Sequence, residues 1–378
     1  MTWTQTRDVK DAYPATTATA EVVPLSAIPA AWDNAWVDLA RHASEPNPFA
    51  ESWFLRPAIR HFADNAFGKM IGVFERTELI GLLPVTTVHH YGRLPINHVE
   101  NWLHYHCFYG APLIRRGREA RFWDAALNTL DMAQWAPNFL HLVGLDPICA
   151  AFQSLHDARR TDVVHRSERA MLQTDLNAES YLLLNLRAKK RKEFRRLRSR
   201  LEALGEVEFS VLPRKASIAE WTKDFLALEG SGWKGREGSA LRSSPATAAF
   251  FAEIVKGAHA AGKLEMLKLT VDGKPIAMLV NFLTPPGSFA FKIAFDEEYA
   301  RFSPGVLIKI ENLKILDRPE ISWSDSCAAE DHPMINSLWA ERRAIVRVTV
   351  PLAGARRRTV FRGARIVESI AARVRART

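Results

Sequence analysis

FKIAFDEEYARFSPGVL, residues 291–307, is the stretch of the chain that decides the fold. Alternating apolar residues predict a strand that ends in an acidic turn, and an apolar run from Val306 to Leu316 predicts a helix. A helix that begins after a tight Pro-Gly loop offers free backbone N–H groups and a positive dipole end, which suit a pyrophosphate. The alternative is that this segment is an ordinary strand–loop–helix connection with a purely structural role. The predicted cofactor-binding residues here are Arg301, Ser303, Gly305 and Val306.

A β-hairpin pattern occurs twice, at residues 70–88 and at residues 264–284, where Asp272-Gly273 is a strong turn signal. Helical patterns precede each hairpin, and a strand, a helix and a further strand follow it. Two copies of one α/β unit with mixed sheets are the simplest explanation, and chance recurrence is the alternative.

The composition is that of a globular protein: 47% of the 378 residues are hydrophobic and 25% are charged. No run is apolar enough to span a bilayer, and the N-terminus has no secretory signal pattern. Cys107, Cys149 and Cys327 are odd in number and far apart, which favours a reducing, cytoplasmic compartment. No spacing indicates a metal site.

The net charge of +9 is concentrated in two segments. Residues 187–200 hold nine basic residues and one Glu, and residues 342–378 hold eleven Arg and one Glu. The first segment is predicted to be a basic helix. The second contains a basic amphipathic helical pattern at 356–377, typical of a helix lying on an anionic membrane surface. A disordered tail or a helix docked on the protein body are the alternatives.

The order of these patterns resembles the GNAT-like acyltransferases of the BioF2-like, or cellulose-biosynthesis-protein, type, which are relatives of the Fem-type aminoacyltransferases. The matching residues are KKRKEFRRLRSRLE, LEGSGWKGREGSAL, the second hairpin, FKIAFDEEYARFSPG and Asp325 before LWAERR. The resemblance implies two tandem GNAT-like folds joined by a basic helix, an acyl-CoA donor and an amine acceptor. Only Gly305 remains of the usual glycine-rich pyrophosphate loop, so that loop is degenerate.

The expected organisation has four parts. They are a flexible leader (1–22), an N-terminal GNAT-like domain (23–184), a C-terminal catalytic domain (185–350) that includes the basic helix (185–205), and a basic amphipathic tail (351–378).

Amide formation from a thioester requires a base for the amine, a donor for the carbonyl oxygen and a proton for the thiolate. His332 is the predicted base, and Asp325 is the alternative base or the acid that orients the imidazole. Asp296 is predicted to position the amine, and Tyr299 to protonate the thiolate. Surface, capping or packing roles are the alternatives for each.

Further residues are predicted to contact ligands. Lys292 is a candidate for the cofactor phosphate, and Trp233 and Lys234 lie in a Gly-rich loop able to close over a substrate. A strand pattern places His104 and His106 on one face, so both are predicted to line the cleft between the halves, together with Tyr109. The alternatives are an exposed strand lysine for Lys292, a tryptophan that anchors a loop to the core for Trp233, and polar residues at a domain interface for the histidines.

Four functions remain open. The first is an acyl-CoA-dependent N-acyltransferase for a long-chain, sphingoid-type lipid amine, as in bacterial ceramide synthesis, peripheral on the inner membrane. The others are acylation of an exopolysaccharide or cell-wall amino sugar, tRNA-dependent aminoacyl transfer of the Fem type, and a non-catalytic role in polysaccharide assembly. The basic helix has no interleaved aromatic residues outside its apolar stripe, which disfavours a nucleic-acid partner.

Overall fold

The computed structural model describes residues 17–63, 67–213 and 215–375, with side chains described as far as residue 370. Most of the predicted leader, residues 1–16, lies outside the described residues. Its end does not: the first strand begins at Thr19, within the predicted leader.

Helices and strands are interspersed along the whole described chain. The strands are β1 Thr19–Pro24, β2 Lys69–Glu75, β3 Glu78–Val88, β4 His98–Asn101, β5 Leu113–Ile114, β6 Phe139–Leu145, β7 Asp162–Gln173, β8 Val207–Val211, β9 Leu264–Val271, β10 Lys274–Thr284, β11 Gly287–Phe295, β12 Trp323–Asp325 and β13 Glu341–Pro351. The α-helices are α1 Asp33–Arg41, α2 Ser52–Phe62, α3 Glu119–Met132, α4 Ala150–Ala158, α5 Ala178–Asn185, α6 Ala188–Glu202, α7 Ile218–Ser231, α8 Trp233–Arg236, α9 Pro245–Ala260, α10 Pro304–Glu311, α11 Pro333–Asn336 and α12 Ala355–Arg375. The 3-10 helices are Leu25–Ala27, Ala30–Trp32, Pro48–Ala50, Leu241–Ser243, Glu297–Phe302 and Asn312–Asp317.

Both predicted hairpins are present, as β2–β3 and β9–β10. In the second, Asp272 and Gly273 have φ of +48° and +77°. Two left-handed residues make the turn that matches the twist of the flanking strands, which explains the Asp-Gly sequence. The same Asp272 carboxylate accepts the N–H of Glu206, and this bond ties the end of the basic helix region to the hairpin.

The strand order confirms the mixed α/β fold and the internal duplication. The sheet runs β1-β2-β3-β4-β6-β13-β7-β12-β11-β10-β9-β8, with β5 paired to β3. In the first half, four antiparallel strands, β1 to β4, are followed by β6, which is parallel to β4. In the second half, the antiparallel strands β8 to β11 are followed by β12, which is parallel to β11.

The two halves share one continuous sheet. β13 lies between β6 and β7, although its sequence position falls in the predicted C-terminal domain. β7 in turn pairs with β12, so the last strand of the chain and β7 join the halves through main-chain hydrogen bonds. The predicted domain boundaries stay predictions.

A large apolar cluster also spans both halves. Phe54 on α2 meets Phe250 on α9, with ring centroids 5.4 Å apart, and Phe282 on β10, with centroids 6.0 Å apart. Each buried Phe contributes roughly 1.5–3 kcal/mol, so the interface between the halves is a hydrophobic core. Within the described residues, no helix has both the length and the apolar character needed to cross a bilayer.

Candidate active site

A gap opens in the sheet where β11 and β12 separate. The two strands pair at only three positions, the last of which joins Phe289 to Asp325. β11 then continues to Phe295, and its backbone beyond Phe289 faces the gap without a strand partner on that side. Unpaired strand backbone in a cleft suits an extended ligand that carries amide groups, because such a ligand supplies the missing hydrogen bonds.

A β-bulge places Lys292 beside this gap. The pairing of β10 with β11 shifts so that Phe291 has no cross-strand partner, and bulges of this kind redirect the next side chain. The ammonium of Lys292 lies over three rings, with centroids 5.8 Å away in Tyr105, 5.6 Å in Phe108 and 5.7 Å in Phe291. Two of these rings belong to the loop after β4, so both halves of the chain form the site.

The electrostatics of Lys292 make it available to a substrate oxygen. Burial lowers the pKa of Lys292 to about 8; the Glu229 carboxylate raises it and the Lys234 ammonium lowers it further. Lys292 therefore remains mostly charged at pH 7. Its ammonium makes no ion pair with any carboxylate in the described part of the chain. A buried, tuned cation in a cleft is a functional-site signal.

Lys234 lies where the sequence predicted a ligand contact, but its main partners are within the protein. Its Nζ donates to Oε1 of Glu229 at 3.3 Å and to the carbonyl oxygen of Ile293 at 3.4 Å. The neighbouring Trp233 is exposed, and its backbone N–H donates to Oε1 of Glu297 at 2.6 Å. The α7–α8 junction is thereby fixed against β11, and Trp233 lies at its surface.

His104 and His106 lie in a loop and not on a strand, so that part of the prediction is wrong. The loop nevertheless brings them close together, with ring centroids 6.1 Å apart, and each ring packs on Phe250 of the other half. Burial lowers the pKa of His104 to about 3 and that of His106 to about 4. Lys292 and Lys234 add to the shift at His106, which places this neutral imidazole beside the lysine cluster.

Tyr109 does not line the cleft. It is fully buried, its hydroxyl donates to Glu45, and the guanidinium of Arg343 lies 4.4 Å from its ring centroid. Arg343 also donates to Asp146 at 2.8 Å, pairs with Glu45 and reaches Asp325. Tyr109 therefore belongs to a buried ionic network that connects the two halves.

Asp325 is part of the same network, which makes it unsuitable as a base. Its Oδ2 accepts from Arg169 at 2.6 Å and from Arg343 at 3.0 Å, and its Oδ1 accepts the N–H of Cys327 at 2.9 Å. Burial alone would raise the pKa of Asp325, but the two guanidinium charges outweigh burial and hold it below its ordinary value. The carboxylate instead fixes the left-handed turn at Cys327, whose φ is +54°, beside the gap.

Asp296 and Tyr299 lie just after the C-terminal end of β11, away from the bulge. Asp296 caps the following 3-10 helix by accepting the N–H of Glu298 at 3.0 Å, and it pairs with Lys274 at 2.9 Å. The Lys274 ammonium also lies over the Tyr299 ring, at 5.3 Å from its centroid. These contacts give both residues structural roles, and the structure does not bring them to Lys292 or His332.

His332 precedes α11, in the loop that leaves β12. Its Nδ1 is buried and has no hydrogen-bond partner among the described residues. Neither Asp325 nor Asp331 bonds to its ring, so the expected orienting carboxylate is missing. His332 therefore has a buried, unpartnered Nδ1 in the loop between β12 and α11, as far as the described residues go.

α10 begins at Pro304, where the sequence predicted the start of a helix, and the pyrophosphate site there stays a prediction. Ser303 has φ of +52°, and its carbonyl oxygen accepts the N–H groups of Val306 and Leu307 at 2.9 and 3.1 Å. The N–H of Gly305 has no backbone acceptor in the described part of the chain, and Pro304 has none to offer. A Cβ at position 305 would lie 3.3 Å from the Phe295 ring, so a glycine fits there without displacing that ring.

Two arginines flank this helix start. The guanidinium of Arg301 lies 4.8 Å from the ring centroid of Phe302, and that of Arg200 on α6 lies 5.8 Å from the same ring. The predicted basic helix therefore ends beside the predicted pyrophosphate site. Sequence reasoning missed the specific role of Arg200, because nothing in the local pattern shows which of many basic residues faces Phe302.

Lys309 on α10 was also missed. It is only 5% exposed, its ammonium lies 5.3 Å from the Trp339 ring centroid, and it forms no hydrogen bond or ion pair within the described residues. Burial lowers the pKa of Lys309 to about 8, and the nearby Cys327 thiol acts in the opposite direction. A lysine within the apolar helical run VLIKI was the signal that could have found it.

A protein-family comparison covers this cleft. Residues 188–325 match the acetyltransferase (GNAT) domain model. The matched segment begins at α6 and ends at Asp325, so it contains β11, α10 and the separation of β11 from β12. This match confirms the GNAT part of the resemblance. No curated protein matches the sequence.

Solved structures share the fold at low sequence identity. FemX aligns with a TM-score of 0.57 at 10% identity, over 88% of this chain and 97% of FemX. The C-terminal domain of a protein assigned as a lysylphosphatidylglycerol synthetase, from Agrobacterium fabrum, aligns with a TM-score of 0.51 at 13% identity, over 89% and 97% of the two chains. A conserved protein of unknown function from Bacteroides thetaiotaomicron aligns with a TM-score of 0.50 at 11% identity, over 85% and 98%. At these identities the likeness shows the fold alone. Among the described residues there is no group of three or more side chains able to hold a metal ion.

Proposed function

We propose that this protein is an N-acyltransferase that moves an acyl group from a CoA thioester to a primary amine. The observation that carries the proposal is the acetyltransferase-domain match, because it coincides with the gap between β11 and β12. Lys292, whose pKa is lowered to about 8, and the N-terminus of α10 lie at the two ends of that gap.

The positive charge at the start of α10 determines the direction in which the acyl-CoA donor would lie in this cleft. The pyrophosphate would lie at the start of α10, where Arg301 and Arg200 supply positive charge and the Gly305 N–H has no backbone acceptor among the described residues. The two amides of the pantetheine arm would pair with the edge of β11 beyond Phe289, which has no strand partner among the described residues. That path brings the thioester towards Lys292, which is three residues past the last β11–β12 pair.

Two residues are proposed to act in the acyl transfer, one as the base and one as the stabiliser of the carbonyl oxygen. The amine nitrogen bonds to the carbonyl carbon, and the C–S bond breaks with its electron pair on sulfur, so that CoA leaves as a thiolate. The proton lost by the amine goes to a base and from there to the thiolate. His332 remains the proposed base, and its Nδ1 has no hydrogen-bond partner among the described residues. The charged Lys292 would stabilise the developing negative charge on the carbonyl oxygen, in place of the cofactor-phosphate role predicted from sequence.

The proposed acceptor is a long-chain, sphingoid-type lipid amine, as in bacterial ceramide synthesis. Exposed aromatic side chains, those of Tyr105 and Trp233, lie at the mouth of the cleft and suit an apolar chain. The shared fold of a protein named for a phospholipid product is compatible with this acceptor class. The proposal places the protein on the cytoplasmic face of the inner membrane.

A second candidate, tRNA-dependent aminoacyl transfer, is favoured by one observation. The exposed Lys and Arg side chains of α6 end beside the proposed donor site, where they could hold an RNA backbone. An amino-sugar acceptor and a non-catalytic assembly role remain as further alternatives.

The test is thiol release from acetyl-, octanoyl- and palmitoyl-CoA by the purified protein with a sphingoid base, a glucosamine derivative or buffer alone. The proposal predicts release that requires both a long acyl chain and the sphingoid base. Release with acetyl-CoA and the sugar would move the acceptor to polysaccharide. No release with any pair, together with tight and salt-sensitive tRNA binding, would favour the second candidate.

A further inference from the structure

The C-terminal helix α12 is held to the protein body by one side only. Phe361 and Ala364 are buried in an apolar cluster with Tyr91 and Phe139. Arg357 donates to the carbonyl oxygens at the end of α3, at 2.7 Å to that of Asp131 and 2.7 Å to that of Ala136. These contacts fix the orientation of the helix.

The opposite side of α12 presents apolar side chains to solvent. Ile366 is 60% exposed, Val367 45% and Ile370 55%. Ile366 and Ile370 are one turn apart and therefore lie on the same face. The apolar residues of the predicted amphipathic helix therefore do not all face the same way. Ala364 is buried against the protein body, whereas Val367 and Ile370 face solvent.

A basic groove lies along the same helix, next to these isoleucines. It has a volume of about 410 Å³, and its charged lining consists of Arg160, Arg358, Arg362, Arg365 and a single carboxylate, Asp162. Arg365 pairs with Asp162 at 3.2 Å and with Glu368 on its own helix. Arg160 makes a longer contact of 3.4 Å with Asp162, whereas Arg358 and Arg362 form no ion pair within the described residues. The groove therefore carries a net positive charge with Ile366 at its edge.

We infer that this groove and the outward face of α12 bind the surface of an anionic phospholipid bilayer. The arginines would hold the lipid phosphates, and Ile366 and Ile370 would enter the boundary between headgroups and acyl chains. The alternation of unpaired arginines with exposed isoleucines on one face fits a bilayer better than it fits nucleic acid, which offers the isoleucines no apolar surface. This binding surface would explain how the protein reaches the membrane lipid in the proposed function. Only that biological purpose rests on the proposed function, and the binding itself does not.

The experiment is co-flotation of the full-length protein with vesicles of phosphatidylcholine alone and of phosphatidylcholine mixed with phosphatidylglycerol. Binding is expected only to the mixed vesicles. Because each arginine near an anionic surface contributes about fivefold to partitioning, R358Q combined with R362Q should weaken binding roughly 25-fold. I366S combined with I370S should weaken it by at least about tenfold at unchanged net charge.

Matched controls separate the site from bulk charge. K192Q combined with R195Q removes the same charge from exposed positions of α6 and should leave binding within about twofold. Binding that both charge variants reduce equally would overturn the inference, as would strong binding to phosphatidylcholine alone. Glycerol phosphate that competes as well as vesicles would show a site for a free phosphate, which also overturns it.

Thiol release from acyl-CoA with a soluble amine, measured on the same variants, distinguishes the two proposals. Lost vesicle binding with normal turnover supports the groove independently of lipid chemistry. Vesicle binding by a protein without transferase activity would leave the groove intact and refute the proposed function.

Discussion

Replacing Lys309 by Met should make the protein more stable. Lys309 is a buried cation on α10 without an ionic partner among the described residues, and its pKa is lowered from 10.5 to about 8 because burial disfavours the charged form. Methionine is of similar length and apolar, so it removes the charge without a large change in volume.

The size of the effect follows from the two pKa values. Below pH 8 both folded and unfolded chains carry the proton, and the folded chain bears the full cost of the buried charge, about 3 kcal/mol. Between pH 8 and pH 10.5 the folded lysine loses its proton while the unfolded one keeps it. Wild-type stability therefore rises with pH in this window, and the advantage of the Met variant shrinks.

The assay is urea denaturation of wild type and Lys309→Met at pH 7 and pH 10. The free energy of unfolding should be higher in the variant by roughly 2–3 kcal/mol at pH 7 and by about 1 kcal/mol or less at pH 10. Lys314→Met is the matched control, since Lys314 is 68% exposed and its change should stay within about 0.5 kcal/mol. A variant less stable than wild type at pH 7 would refute the reasoning.

Three further predictions concern the cleft and its support. Lys292→Met should lower kcat by roughly 10²–10³. The kcat of the wild-type protein should fall as the pH rises through about 8, because Lys292 then loses its charge. A kcat that rises in this pH range would instead make Lys292 the base. His332→Ala should lower kcat by about 10² or more with unchanged thermal unfolding, and near-normal kcat would remove it as the base. Asp325→Asn should destabilise the fold by about 3–5 kcal/mol, because Arg169 and Arg343 lose their shared anion; melting within a few degrees of wild type would contradict this.

Local patterns were enough to predict the elements that form the cleft. Asp272-Gly273 predicted its hairpin because a two-residue left-handed turn has few sequence solutions. Ser303-Pro304-Gly305 predicted the start of α10 because proline fits the first turn of a helix. The duplication was visible because both halves repeat the same order of elements.

The composition of the site could not be predicted in the same way. Tyr105 and Phe108 reach Lys292 from the other half of the chain, and Arg343 reaches Asp325 because β13 inserts between β6 and β7. These contacts depend on the strand order, which no local pattern encodes. Asp325 looked like a base for the same reason: its sequence neighbours do not reveal its two arginine partners.

The most direct test of the central claim is calorimetric titration of the protein with palmitoyl-CoA and with CoA. The account predicts binding of both, weakened at least about tenfold when Arg200 and Arg301 are changed together to Gln and unchanged when Lys192 and Arg195 are. No binding of either ligand by the folded wild-type protein would contradict it.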